Sequence, residues 1–114
     1  MAVLKFEETP AEIVRTGLER RLTYMGDLMT VVLDFSDGPW AEPEPPHSHP
    51  HVQTCYIASG ELIFYCEDEP DQHLKAGDLF AVPSGKKHTI KLLSKTARLI
   101  DNFNPLRQDF LKPK

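Results

Sequence analysis

The chain has 114 residues, 40% of them hydrophobic and 26% charged, with a formal net charge of −4. That suits one domain with one modest core, and excludes a disordered chain. The weak acidity gives no electrostatic reason to expect nucleic acid or an anionic membrane as partner, although a local arginine can still bind a small anion. The segment Met1 to Glu8 lacks the basic and apolar regions of a secretory signal. No apolar run approaches the roughly 18 residues that span a bilayer, so a cytoplasmic location is expected. Cys55 and Cys66 are the only cysteines and form no C-x-x-C motif; they are expected as free core thiols.

Ten prolines and six glycines divide the sequence into short segments whose apolar residues alternate with period two. Gly17 to Tyr24 reads as a strand, and Leu28 to Phe35 as its neighbour across a turn at Met25–Asp27. Trp40 to Pro50 is rich in proline and acidic residues and reads as a loop. Val52 to Ala58 and Glu61 to Glu67 form the next hairpin around Ser59-Gly60. Gln72 to Lys75, Leu79 to Val82, His88 to Leu93 and Ala97 to Phe103 continue the pattern, separated by turn signals at Asp68–Asp71, Ala76–Asp78 and Ser84–Lys86. No segment sustains a helical period. Short strands with frequent turns predict an all-β antiparallel sandwich or barrel occupying the whole chain as a single domain.

The loop ends in the densest chemical signal of the sequence, Pro46-His47-Ser48-His49-Pro50-His51-Val52-Gln53. Three of the five histidines fall within five positions. Residues 47, 49, 51 and 53 share parity, so an extended chain would point them to one face, and Pro46 and Pro50 oppose a helix. Imidazole suits Zn, Ni, Fe and other divalent ions; the alternative is a surface histidine cluster. A second signal, Gly77 to His88, places Pro83 and Gly85 in a turn that delivers His88 to the start of a strand.

Together the two stretches resemble the cupin superfamily. Its first motif is G-x5-H-x-H-x3,4-E-x6-G and its second is G-x5-P-x-G-x2-H-x3-N. His47, His49, Gln53 and Gly60 fit the first; Gly77, Pro83, Gly85 and His88 fit the second. The resemblance covers approximately residues 38–92 and implies a double-stranded β-helix, or jelly-roll barrel, with a metal ion inside one mouth. It makes His47, His49, Gln53 and His88 the expected ligands of one divalent ion, which the donor set leaves open among Zn, Ni, Fe, Mn and Co. There are three departures. Gln53 stands where most cupins have Glu, Leu92 where many have Asn, and Gly38 lies further from His47 than the motif asks. A neutral amide leaves the ion its full charge, which favours an anionic ligand over redox oxygen chemistry. His51 has no ligand role in the pattern and is expected at the rim or behind the ligands.

A third signal lies near the C-terminus, Asp101 to Leu111. Asp101 and Phe103 share parity on the last strand, and Arg107 follows Pro105 in a loop that can fold over the mouth. A carboxylate, an aromatic wall and a guanidinium near a metal suit an acidic sugar. Equally, Asp101 could pair with a lysine and the tail could be a packing strap. The run His-Ser-His-Pro-His-x-Gln followed by D-x-F-x-P-x-R-x-D-F-L is similar to the KdgF family of pectin-degradation cupins, whose members have a similar length. That resemblance implies an enzyme that opens 4,5-unsaturated uronate monosaccharides, released from pectin or alginate, to linear 4-deoxy-5-keto-uronates. It implies that Asp101, Phe103 and Arg107 line the catalytic pocket. The competing expectations are a sugar-binding sensor and a metal-dependent oxygenase or lyase of the same fold. A homodimer is expected because a small barrel gains by covering its sheet edges.

Overall fold

The computed structural model describes residues 3–111. Nine strands follow a short 3-10 turn at Phe6–Glu8: β1 (Glu12–Arg15), β2 (Leu18–Met25), β3 (Leu28–Phe35), β4 (Val52–Ser59), β5 (Glu61–Cys66), β6 (Gln72–Lys75), β7 (Leu79–Val82), β8 (His88–Leu92) and β9 (Ala97–Asn104). A second 3-10 turn, Gln108–Leu111, closes the described chain. The strand pattern expected from period-two alternation is observed, with ends shifted by one residue at several positions. β1 has no counterpart among the expected strands: its paired Ile13 and Val14 break the alternation, and both are exposed.

All pairings are antiparallel. The larger sheet has six strands in the order β1-β2-β3-β9-β4-β7, and the smaller has three in the order β6-β5-β8. The long spatial jumps, β3 beside β9 and β5 beside β8, are those of a jelly roll. The ladders do not close into a continuous ring among the described residues, so the barrel is two facing sheets with a filled interior.

That interior is chiefly apolar. Ile57 and Leu62 are fully buried, with Leu18, Phe35, Val82, Leu92 and Leu99 around them. Each such side chain contributes about 1.5–3 kcal/mol by leaving water. Phe64 of the small sheet stacks on Phe80 of the large one, centroids 4.1 Å apart, and so ties the two layers together. Leu92, at the position many cupins give to asparagine, is part of this core. A smaller cluster of Met29, Val31 and Phe103 receives Leu106, Phe110 and Leu111 from the C-terminal segment. That segment is therefore packed onto the sheet.

Two glycines set loop positions that bear on the site. Gly60 closes the β4–β5 hairpin at φ +94°, and a Cβ there would sit 2.5 Å from that of Ala97. Gly38 begins the long loop where it passes β8, and a Cβ there would lie 1.9 Å from the Ser94 carbonyl oxygen. The loop then runs beside β8 through bonds from the amides of Trp40 and Glu44 to the carbonyls of Leu92 and Ile90. This path delivers His47 directly opposite His88. No helix among the described residues is long and apolar enough to cross a membrane.

Candidate metal centre and ligand cavity

The two histidine motifs meet through their backbones before their side chains meet. His47 and His88 form an isolated antiparallel bridge, with N···O distances of 3.1 and 2.9 Å. The Gly85 amide donates to the His49 carbonyl at 2.9 Å, and the Ser84 hydroxyl donates to the Pro50 carbonyl at 2.6 Å. The turn of the second motif is thus stitched to the loop of the first. The expected single extended run from 47 to 53 is not what achieves this. Only residues from Val52 onward belong to β4, and the chain bends at Pro50 and His51. The prolines that exclude a helix also break the ladder.

One ring nitrogen from each of His47, His49 and His88 lies within 4.8 Å of the other two. Their tautomers follow from their partners. His49 Nδ1 faces the His51 carbonyl at 3.0 Å, and His88 Nδ1 faces the Lys86 carbonyl at 2.9 Å. A carbonyl only accepts, so each Nδ1 carries a proton, and the neutral form of either ring turns a bare Nε2 toward the cluster. His88 Nε2 is buried with no hydrogen-bond partner. Burial pushes the His88 imidazole down to about 4, partly opposed by the Lys86 carbonyl, while His47, His49 and Arg107 add to the fall. Burial and the charges of His49 and Arg107 lower His47 as well. Neutral imidazole is the form that ligates a metal.

Gln53 adds a fourth donor. Its amide nitrogen donates to Asp101 Oδ1 at 3.0 Å, which turns its carbonyl oxygen toward His49 Nε2 at 3.1 Å. With Nδ1 of His49 already donating, a neutral His49 and Gln53 present two lone pairs to each other. A cation shared between them removes that repulsion. The orphaned His88 nitrogen, the opposed lone pairs and three convergent imidazoles all fit a divalent ion held by nitrogen and oxygen donors.

His47, Gln53 and His88 open onto a cavity of about 250 Å³, also lined by Asp101, Phe103, Arg107 and Phe110, and by the apolar Phe35, Phe80 and Leu99. Asp101 is 5% exposed and sits on β9 opposite Cys55 of β4. Burial raises its carboxyl to about 6, although hydrogen bonds from Cys55 and Gln53 and the charge of Arg107 act against the rise. Among the described residues its partners are these and no lysine, so the lysine pairing considered from the sequence does not occur there. Phe103 meets the His49 ring edge to face at 5.7 Å. Arg107 lies between Phe103 and Phe110, 5.1 and 4.4 Å from their centroids. The tail is both a packing strap and a wall of the cavity. His51 lies outside the three-histidine cluster: its carbonyl accepts from His49 Nδ1, and its ring lies 6.4 Å from Phe103.

Sequence reasoning assigned no role to Phe110 or Asp109. Both lie within the tail motif, and the spacing Arg107-x-Asp109 was their visible signal. Cys55 was expected as a core thiol, and it is free and buried; its contact with Asp101 follows from strand register, which the sequence does not display.

A cupin domain family model matches residues 38–103. The chain is 36% identical over 107 residues to the pectin degradation protein KdgF of Dickeya dadantii, covering 92% of this chain and 94% of that one. Its fold superposes on the structure of KdgF from Halomonas sp. with a TM-score of 0.82 at 30% identity, covering 93% and 96% of the two chains. An RmlC-like cupin from Shewanella frigidimarina gives a TM-score of 0.84 at 33% identity, with 96% of each chain covered. The chain belongs to the cupin family, and within it to the relatives of the pectin degradation protein KdgF.

Proposed function

We propose that this protein is a metal-dependent enzyme that opens 4,5-unsaturated uronate monosaccharides to linear 4-deoxy-5-keto-uronates. The observation that carries the reading is convergence: Asp101, Phe103 and Arg107 share one cavity with His47, Gln53 and His88, and His49 joins that cluster through its ring nitrogen. The likeness to a protein named for pectin degradation supports the substrate class. The cavity is smaller than the roughly 300–1,000 Å³ of drug-sized pockets, which suits one sugar ring better than a polymer.

His47, His49, Gln53 and His88 would hold the ion. Bound there, a divalent ion supplies Lewis-acid polarisation of substrate oxygens, undiminished by any anionic ligand. The chain's own residues supply the remainder. Arg107 hydrogen-bonds the substrate carboxylate, and Phe103 packs on the ring. Asp101 accepts the proton of the anomeric hydroxyl as the bond from C1 to the ring oxygen breaks. C1 becomes an aldehyde, and the ring oxygen leaves as an enolate at C5. The proton that Asp101 took is delivered to C4 and turns that enolate into the ketone. Protons taken and given balance, and nothing is oxidised. The apolar cavity wall keeps water from competing for the carboxyl.

The test is metal-loaded protein with unsaturated galacturonate under anaerobic conditions, followed by loss of the conjugated absorbance and by NMR of the product. Formation of the linear keto-uronate is the expected result. Binding without conversion would point instead to a sensor, and conversion that requires oxygen to an oxygenase.

Two further expectations accompany the reading. Free, buried Cys55 and Cys66 suit a reducing, cytoplasmic setting. The outer face of the six-stranded sheet carries exposed Val52, Tyr56 and Leu79, with Tyr56 paired to both Leu79 and Ile100. That uncharged row suits a homodimer, and light scattering should give twice the monomer mass.

A further inference from the structure

The turn that follows Pro105 folds a carboxylate back onto the arginine two residues before it. The Phe110 amide donates to the Arg107 carbonyl at 3.0 Å, closing the turn. Arg107 Nε then donates to Asp109 Oδ1 at 3.0 Å and Nη2 to Oδ2 at 2.8 Å. These two parallel bonds use the side-on edge of the guanidinium and fix its plane. Phe103 and Phe110, perpendicular to each other, pack against it. Behind Phe110, Arg20 lies 4.0 Å from the ring centroid and is itself bonded to Glu12 of β1. Leu106, Phe110 and Leu111 anchor the turn in the apolar cluster around Met29 and Val31. The Arg107 side chain is 15% exposed and held by these contacts.

An arginine has five N–H donors, and Asp109 occupies two of them. The donors left free for a ligand are those of the end-on edge, Nη1 and the outer hydrogen of Nη2, on a residue that lines the cavity. The Asp109 charge also offsets that of Arg107, so attraction to an anion depends on hydrogen-bond geometry more than on net charge. A planar carboxylate that meets the end-on edge with two parallel bonds satisfies that geometry.

We infer that Asp109 is a positioning residue, which acts through Arg107 to select a ligand carrying a single carboxylate at that end of the cavity. The inference rests on the uronate reading above and names the residue that makes Arg107 selective. It predicts a sign. If Asp109 merely competed with the ligand for Arg107, removing it would tighten anion binding. If it positions Arg107, removing it weakens binding.

The experiment uses the full metal-loaded chain with Asp109→Ala and Asp109→Glu. Galacturonate and galactose are titrated by calorimetry, melting temperatures are measured, and kcat and KM are taken on the unsaturated uronate. Asp109→Ala should bind galacturonate about tenfold more weakly, the scale of one lost charge-assisted hydrogen bond, with galactose binding unchanged. KM should rise while kcat holds, and Asp109→Glu should recover most of the loss. Unchanged or tighter galacturonate binding in Asp109→Ala would overturn the inference. So would equal weakening toward both sugars, or a wild type that binds no galacturonate. Turnover is a separate matter: a wild type that binds galacturonate without opening the unsaturated sugar refutes the enzymatic reading and leaves the positioning role to be decided by the binding ratio.

Discussion

The interior between the two sheets has two ends that the same strands build. β4 contributes Ile57 and Cys55 to the apolar end and Gln53 to the other; β9 contributes Leu99 to the apolar end and then Asp101 and Phe103. Along each strand the inward positions simply alternate. Apolar residues there leave water and stabilise the fold. Gln53 and Asp101 also leave water, but a buried polar group costs free energy unless it is bonded, and these two chiefly satisfy each other at 3.0 Å. One end of the interior therefore supplies stability, and the other holds buried polar groups that add little to it, where the proposed chemistry lies. His88 carries this furthest at the site, with a buried nitrogen that no group among the described residues satisfies.

If the two ends divide stability from chemistry, substitutions in each should move different quantities. The largest effect is expected for Asp101→Asn. The amide still offers Gln53 an acceptor but cannot exchange a proton, so kcat on the unsaturated uronate should fall by about 10²–10⁴-fold, the range ascribed to a general acid–base. Thermal melting should show stability unchanged or improved, since a buried carboxyl is replaced by a neutral group. Near-normal turnover would remove Asp101 from the mechanism. The converse substitution is Ile57→Ala, at a fully buried position two strand pitches from Gln53. Denaturant unfolding should show a loss of about 2–5 kcal/mol from the transfer and cavity terms together. The folded fraction should keep its kcat. A large fall in kcat with little loss of stability would dissolve the distinction between the ends.

The sequence shows which residues face inward at both ends, because parity alone decides that. Gln53, Asp101 and Phe103 were legible in this way, as were Ile57 and Leu99. It also shows the identities of His47, His49 and His88, because two spaced motifs carry them. How those histidines meet was not legible. Parity predicts a single extended run, whereas the structure uses a backbone bridge between His47 and His88 across 41 positions of sequence. Such a bridge depends on the close pass of the Gly38 loop beside β8, a tertiary contact with no local signature. His51 shares the parity of His47 and His49 and yet meets His49 through its carbonyl, because the chain bends at Pro50 and His51. The strap could be read as either packing or site, and it is both. Asp109 had a visible spacing to Arg107, but only the 3-10 turn brings the carboxylate onto the guanidinium.

The smallest effect tests the comparison from outside the interior altogether. Asp37, beneath the apolar end, accepts hydrogen bonds from Arg15 at 2.7 Å and from the Trp40 indole at 3.0 Å. Burial alone would raise its carboxyl, but those two donors outweigh it and hold it below the ordinary 3.8. A carboxyl depressed by folding stabilises the native state above its unfolded pKa, and that contribution is lost as pH falls through the folded value. Asp37 and Arg15 are each about one-third exposed, with side chains at 34%, so solvent screening limits the effect to less than about 1 kcal/mol. Asp37→Asn should therefore lower stability slightly at neutral pH. The gap between variant and wild type should close as pH falls below about 4, the ordinary range of an aspartate. Activity should be unaffected, because the ion pair braces the loop at its far end from His47. A change in KM with the same pH dependence would instead show that the loop transmits strain to the metal ligands, and that the two ends of the interior are coupled through it.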